Sequence, residues 1–110
     1  MCTFCKSGTE NLTHLFWDCT KVATFWRDFK NRYIDAGETF NSDTVFLGND
    51  NELVCSLIFL GKRYINECRF NEKQPNILNF IPKVDYLRKM EFQIAKYSNR
   101  LDRWQDKWEQ

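Results

Sequence analysis

Four residues near the start of the chain, Cys2, Cys5, His14 and Cys19, are of types that ligate a metal ion. Cys2 and Cys5 have the Cys-x2-Cys spacing with which two thiolates hold one ion from a tight turn, and Gly8 eases the chain's return. With His14 and Cys19 they make a set of three thiolates and one imidazole. Zinc is the natural candidate for such a set. A closed tetrahedral site has no position for water, so the ion would be structural rather than catalytic. The competing reading is packing, since a Cys-x-x-Cys arises by chance and a buried cysteine is often only a small apolar residue. His14 is the only histidine of the chain, and it falls with a third cysteine inside the same eighteen-residue stretch, which favours the metal. Redox use of Cys2 and Cys5 is disfavoured, because no strand-helix context follows them. Cys55 and Cys68 read most simply as packing residues.

His14 and Cys19 lie five residues apart, which on a continuous α-helix separates their side chains by roughly 140°. Chelation therefore requires a break. The spacing predicts a short helical turn carrying His14 and ending near Asp18, with Cys19 at the junction and Thr20 capping a new helix. In that helix Val22, Phe25, Trp26, Phe29 and Tyr33 recur at helical spacing, and Gly37 is placed as its stop.

The stretch 38–50 is rich in Asn, Ser, Asp and Gly. It reads as a docking loop in which Thr44 to Leu47 form a short extended piece ending at Gly48. Asn49 and Glu52 have capping-box spacing ahead of an apolar helix over Leu53, Val54, Leu57, Ile58, Leu60, Tyr64, Ile65 and Cys68, expected to be central. Gly61 inside it costs about 1 kcal/mol against Ala, which makes sense where another helix approaches closely. Pro75 ends this helix and Asn76 caps a third, running from Ile77 toward Leu101. Pro82 implies either a kink or a delayed start, and Ser98-Asn99 a second break before Trp104 and Trp108. Those two tryptophans either form an interface ridge or fold back on the first helix. The expected fold class is all-α: a small CCHC zinc-stapled head over 1–19 and a body of about three principal helices over 20–110, together one domain.

Composition sets limits on function. At 110 residues, 43% hydrophobic and 28% charged, the chain suits a single folded domain and is too small for a polymerase or nuclease with all its subsites. Its longest apolar run, Leu57 to Leu60, is far short of the roughly 18 residues of a membrane span, and no basic-then-apolar leader precedes Cys2. An odd count of five cysteines without a leader points to metal or free thiols in a reducing, cytoplasmic or nuclear location, not secretion. The net charge of +1 gives no strong hint of nucleic acid. From Gly61 onward, however, basic residues outnumber acids, and the middle of the chain is acidic.

The stretch "CTFCKSGTENLTHLFWDCTKVATFWRDF" resembles the zinc-binding C-terminal segment of reverse transcriptases from non-LTR (LINE-type) retrotransposons, in its Cys-x2-Cys, its "HLFW-x-C" and its following "FW". The resemblance is strong to Phe29 and looser through "LIFLGKRYINECRFNEKQPNILNF" and "LDRWQDKW". It implies metal ligands at Cys2, Cys5, His14 and Cys19 and aromatic pairs at Phe16-Trp17 and Phe25-Trp26. It also implies a module that helps hold RNA or target DNA and a reverse transcriptase body as a further partner. The segment follows an endonuclease and a polymerase in that family. Here no paired-aspartate polymerase motif is present, and Met1 directly before Cys2 suggests a truncated reading frame, so a non-functional element remnant is also in view.

Three functions compete. The first is a non-catalytic nucleic-acid-binding module whose weak, salt-dependent grip would use Trp17 for base stacking and Arg63, Arg69, Arg88, Lys89, Lys96, Arg100 and Arg103 for phosphates. Phe16, Trp26 and Phe29 are expected in the core instead. The second is a structural or protein-interaction module packing on a polymerase body, which an exposed apolar patch would favour. The third, an enzyme, lacks a free base or nucleophile, because His14 is claimed by the metal. No small-molecule substrate and no membrane partner are expected.

Overall fold

The computed structural model describes residues 4–6, 11–34, 37, 39–48 and 50–109. The fold is all-α, and no strand occurs among the described residues. A single π-turn, His14–Asp18, leads into α1 (Thr20–Tyr33), a short α2 (Ser42–Leu47), α3 (Glu52–Phe70), α4 (Ile77–Tyr97) and α5 (Leu101–Trp108). None of these helices is long and apolar enough to cross a membrane.

Helices α1, α3 and α4 meet at a cluster of aromatic rings. Phe25 of α1 lies 5.5 Å from the Tyr64 ring of α3 and 5.3 Å from the Phe80 ring of α4, and it also touches Trp26 and Phe29 of its own helix. Edge-to-face and tilted arrangements at these spacings suit the ring quadrupoles. Phe25, Phe29 and Phe80 are fully buried, as are Val22, Val45 and Ile65. Helix α3 is central as its sequence predicts, burying Val54, Leu57, Ile58, Gly61, Tyr64, Ile65 and Cys68. Its Tyr64 hydroxyl donates to the Asn76 carbonyl at 3.1 Å and accepts from the Asn76 amide at 3.0 Å, tying α3 to the start of α4. Burial pushes this phenol up to about 12, so it remains a neutral donor.

Gly61 has the role its position implies. A Cβ there would meet the Trp26 ring at 3.0 and 3.2 Å. Trp26 cannot easily yield, because its Nε1 donates to the Phe16 carbonyl at 2.7 Å and its ring is packed against Phe25, Phe29 and Phe40. Gly61→Val is therefore expected to lower stability by about 1–3 kcal/mol through overpacking, read as a shift in the urea midpoint. A midpoint unchanged or raised would show that α1 is not held this close to α3.

Several boundaries differ from the sequence expectation, each for a local reason. Cys19, not Thr20, is the N-cap of α1: it is extended (φ −60, ψ 133), and its carbonyl accepts the first helical bond from Ala23 at 2.8 Å. Helix α1 stops at Tyr33 rather than near Gly37, because Ile34 turns extended and buries its side chain. The stretch Thr44 to Leu47 is helical, not extended. Asn41 accepts from the Thr44 amide at 3.1 Å while the Thr44 hydroxyl accepts from the Asn41 amide at 3.4 Å, a capping box that overrides the β-preference of Thr44 and Val45. Gly48, at φ 97, closes that helix.

The N-cap of α3 is Asn51, whose side chain accepts from the amides of Leu53 and Val54; the expected cap, Asn49, lies outside the described residues. Helix α3 ends at Phe70, ahead of Pro75, in a left-handed turn at Glu72 (φ 55) that lets the Lys73 amide reach the Cys68 carbonyl at 2.9 Å. Asn76 caps α4 as expected, by accepting from the Leu78 amide. Pro82 lies inside α4, which already starts at Ile77, so the start is not delayed to Pro82. The break at Ser98-Asn99 is present, with Asn99 left-handed (φ 56) and the Arg100 amide donating to the Ala95 carbonyl at 2.8 Å. Helix α5 then folds back along α4 and α3 rather than on α1. Trp104 stands edge-on to Phe92 and donates to the Arg88 carbonyl, and Lys107 pairs with Glu91 at 2.6 Å.

Candidate metal centre and the surface beside it

The π-turn solves the spacing problem that the sequence poses. A five-residue separation stacks on one side of the chain when the amide of Cys19 donates to the carbonyl of His14, five residues back, and this bond is present at 2.8 Å. The turn is started by Asn11, whose side chain accepts from the His14 amide at 2.8 Å. It is ended by the extended conformation of Cys19. The third donor, Cys5, sits in a tight turn in which Lys6 adopts a left-handed conformation (φ 60).

These elements bring Cys5, His14 and Cys19 together, with their ligand atoms all within 4.8 Å of one another. The Cys5 Sγ lies 3.4 Å from the His14 Nε2. In a tetrahedral ligand shell, metal–sulfur and metal–nitrogen bonds of about 2.3 and 2.0 Å put neighbouring S and N donors about 3.5 Å apart, so this pair is already at ligand spacing. The cluster can hold a metal ion. Cys2, the fourth expected ligand, lies outside the described residues. Cys55 and Cys68 stand apart on α3; Cys68 is buried, and burial raises its thiol, which suits a packing residue.

The cluster is joined to the body at several points. Phe4, next to Cys5, is buried in the core, and its carbonyl accepts from the Gln74 side chain at 3.0 Å. Cys19 is fully buried. Phe16, within the π-turn, accepts the Trp26 indole bond that also fixes the ring against Gly61. An ion here would therefore set the geometry of α1's first turn and of the rings behind it.

The residues that the sequence suggests for nucleic acid are scattered over several surfaces. Trp17 is half-buried, with its ring 5.8 Å from Phe40. Arg63 is exposed in the groove between α3 and α4, while Arg69, half-buried in the last turn of α3, has a partner of its own. Arg88 pairs with Glu109 at 3.8 Å and lies over the Trp104 ring, with Lys89 beside it. Lys96 is exposed near the end of α4. Arg100 and Arg103 share a hollow with Glu52, Glu91 and Asp106. Part of the C-terminal basic excess is thus matched by acids within the fold, including Lys83 with Glu67 and Lys107 with Glu91.

A different group gathers next to the head. Trp17, Ala23, Trp26, Arg27, Lys30 and Phe40 line a cleft of about 310 Å³. Neither Arg27 nor Lys30 stands out in the sequence, although with Ala23 they follow the i, i+4, i+7 spacing of one helix face. Phe40 carries no signal of its own inside a polar loop. Comparison with protein-family models, with curated proteins and with solved structures found no match.

Proposed function

We propose that the chain is a non-catalytic, zinc-stapled helical module that binds nucleic acid, in keeping with its resemblance to the zinc-binding segment of LINE-type reverse transcriptases. The observation that carries the reading is the Cys5, His14 and Cys19 cluster, assembled by a π-turn whose bonding brings its donors together. A mixed thiolate and imidazole set suits zinc, and Cys2 would supply the fourth ligand. With four protein ligands the ion has no open position, so it acts by holding Cys5 and the start of α1 together. His14, the sole histidine, is then committed to the ion and is not free to act as a general base.

Nucleic-acid binding is expected to be weak and electrostatic, in the micromolar range typical of non-specific contacts, because the net charge is only +1. The test is a titration of labelled single-stranded RNA at two salt concentrations. Affinity should fall as salt rises, with a log–log slope of roughly 0.7 for each phosphate contact. No binding at low salt, with zinc present and the fold intact, would refute the reading.

A second reading is supported by one specific feature. Leu78, Tyr86, Met90, Ile94 and Tyr97 recur along α4 at helical spacing and are all exposed. An apolar stripe of that kind favours a module that packs on a larger protein, such as a polymerase body. It becomes the leading reading if the RNA titration is negative.

A further inference from the structure

Resting on the nucleic-acid reading, we infer that the cleft between the π-turn, α1 and the segment before α2 takes one unpaired nucleotide of a single strand, its base against Trp17 and Phe40 and its phosphate on Arg27 and Lys30. The rings form a continuous apolar wall: Trp17 lies 5.8 Å from Phe40 at 46°, and Phe40 lies 5.7 Å from Trp26 at 48°. Trp26 is held from behind by its indole bond to the Phe16 carbonyl and by α3 at Gly61, so the innermost ring of the wall is fixed by the fold itself. Trp17 and Phe40 remain half-exposed. Ala23 is the smallest residue of the lining, so a larger side chain at this position would take up space in the cleft.

The charge of the cleft selects its occupant. Among the described residues, Arg27 and Lys30 are the only ionisable ones lining it. Arg27 meets Asp28 only loosely, at 3.7 Å with its side chain 70% exposed, and Lys30 has no ion pair among the described residues. By contrast, the hollow that holds Arg100 and Arg103 also contains three carboxylates. An aromatic wall beside two cations fits a ligand that joins a flat π-face to an anion, which an unpaired nucleotide does in one unit. A duplex cannot offer it, because its bases are stacked on each other. A cleft of about 310 Å³ is at the lower end of small-ligand sites, enough for one nucleotide and not for a longer stretch.

The experiment uses the purified full chain and a labelled, unstructured 12-nucleotide RNA, with the same sequence as a duplex for comparison. Ala23→Leu should fill the cleft without removing a core side chain and weaken single-strand binding at least fivefold, while changing duplex binding little. Arg27→Gln with Lys30→Gln, both at the helix surface, should weaken binding similarly and lower the salt slope by about 0.7 to 1.4, as the removal of one or two phosphate interactions requires. RNA should quench tryptophan fluorescence in the wild type and much less in Trp17→Phe. Single-strand binding that persists at wild-type strength in Ala23→Leu would overturn the inference and leave the nucleic-acid reading standing. Equal weakening for single strand and duplex would also overturn it. Absence of any RNA binding by the wild type would remove both.

Discussion

Treating the purified chain with a strong chelator is expected, on the proposed zinc-stapled head, to unfold that head and to destabilise α1, while much of the helical signal of α3 and α4 remains. The effect should be large, because structural zinc sites of this ligand class contribute apparent binding energies on the order of 10 kcal/mol at neutral pH. Cys19 explains why the loss should spread. It is fully buried, it ends the π-turn and it caps α1, so freeing its thiol removes the restraint on the first turn of that helix. The same turn carries the Phe16 carbonyl that fixes Trp26. The part of the near-UV circular dichroism that arises from Trp17 and Trp26 should therefore be lost with chelator before the far-UV signal falls, while the part from Trp104 and Trp108 on α5 remains. A near-UV spectrum untouched by complete chelation would mean that the body holds the head in place without an ion.

Phe25→Ala should be among the most damaging core truncations, costing about 3–5 kcal/mol as expected for removing a buried aromatic ring. Phe25 is the ring through which α1 meets both Tyr64 and Phe80, and the cavity left behind would be bounded by side chains of three helices. Such a site relaxes poorly, because a shift that closes the gap toward Phe80 opens one at Tyr64, whose hydroxyl is tied to Asn76. Urea unfolding gives the measurement. A loss below about 1 kcal/mol, far under the range for a buried ring, would place the α1, α3 and α4 junction elsewhere.

The long helices are legible in the sequence because their apolar periodicity is strong. Leu57, Ile58, Tyr64 and Ile65 mark the buried face of α3 in sequence and in the fold, and Gly61 announces a close approach whose partner, Trp26, only the structure identifies. The need for a break between His14 and Cys19 follows from helix geometry alone, and a π-turn supplies it. Helix α2 is not legible. Thr44 and Val45 favour strands locally, and the helix depends on a reciprocal bond between Asn41 and Thr44 whose strength cannot be weighed against propensity from sequence.

The basic residues are the least readable, because a count of charges does not show which are already matched. Lys83, Arg88 and Lys107 each meet an acid far along the chain, Glu67, Glu109 and Glu91 respectively. Arg27 and Lys30, in a region of ordinary net charge, line a cleft whose other described residues are uncharged. Phe40 reaches that cleft only through the path of the chain before α2.

The most direct test of the metal-stapled head is elemental analysis of the purified chain, compared with single substitutions of its cysteines. One zinc per chain is expected, retained in Cys55→Ser and Cys68→Ser and lost or greatly reduced in Cys5→Ser and Cys19→Ser. A chain purified without zinc, or one that keeps its full complement after Cys19→Ser, would contradict the assignment of Cys5, His14 and Cys19 as ligands.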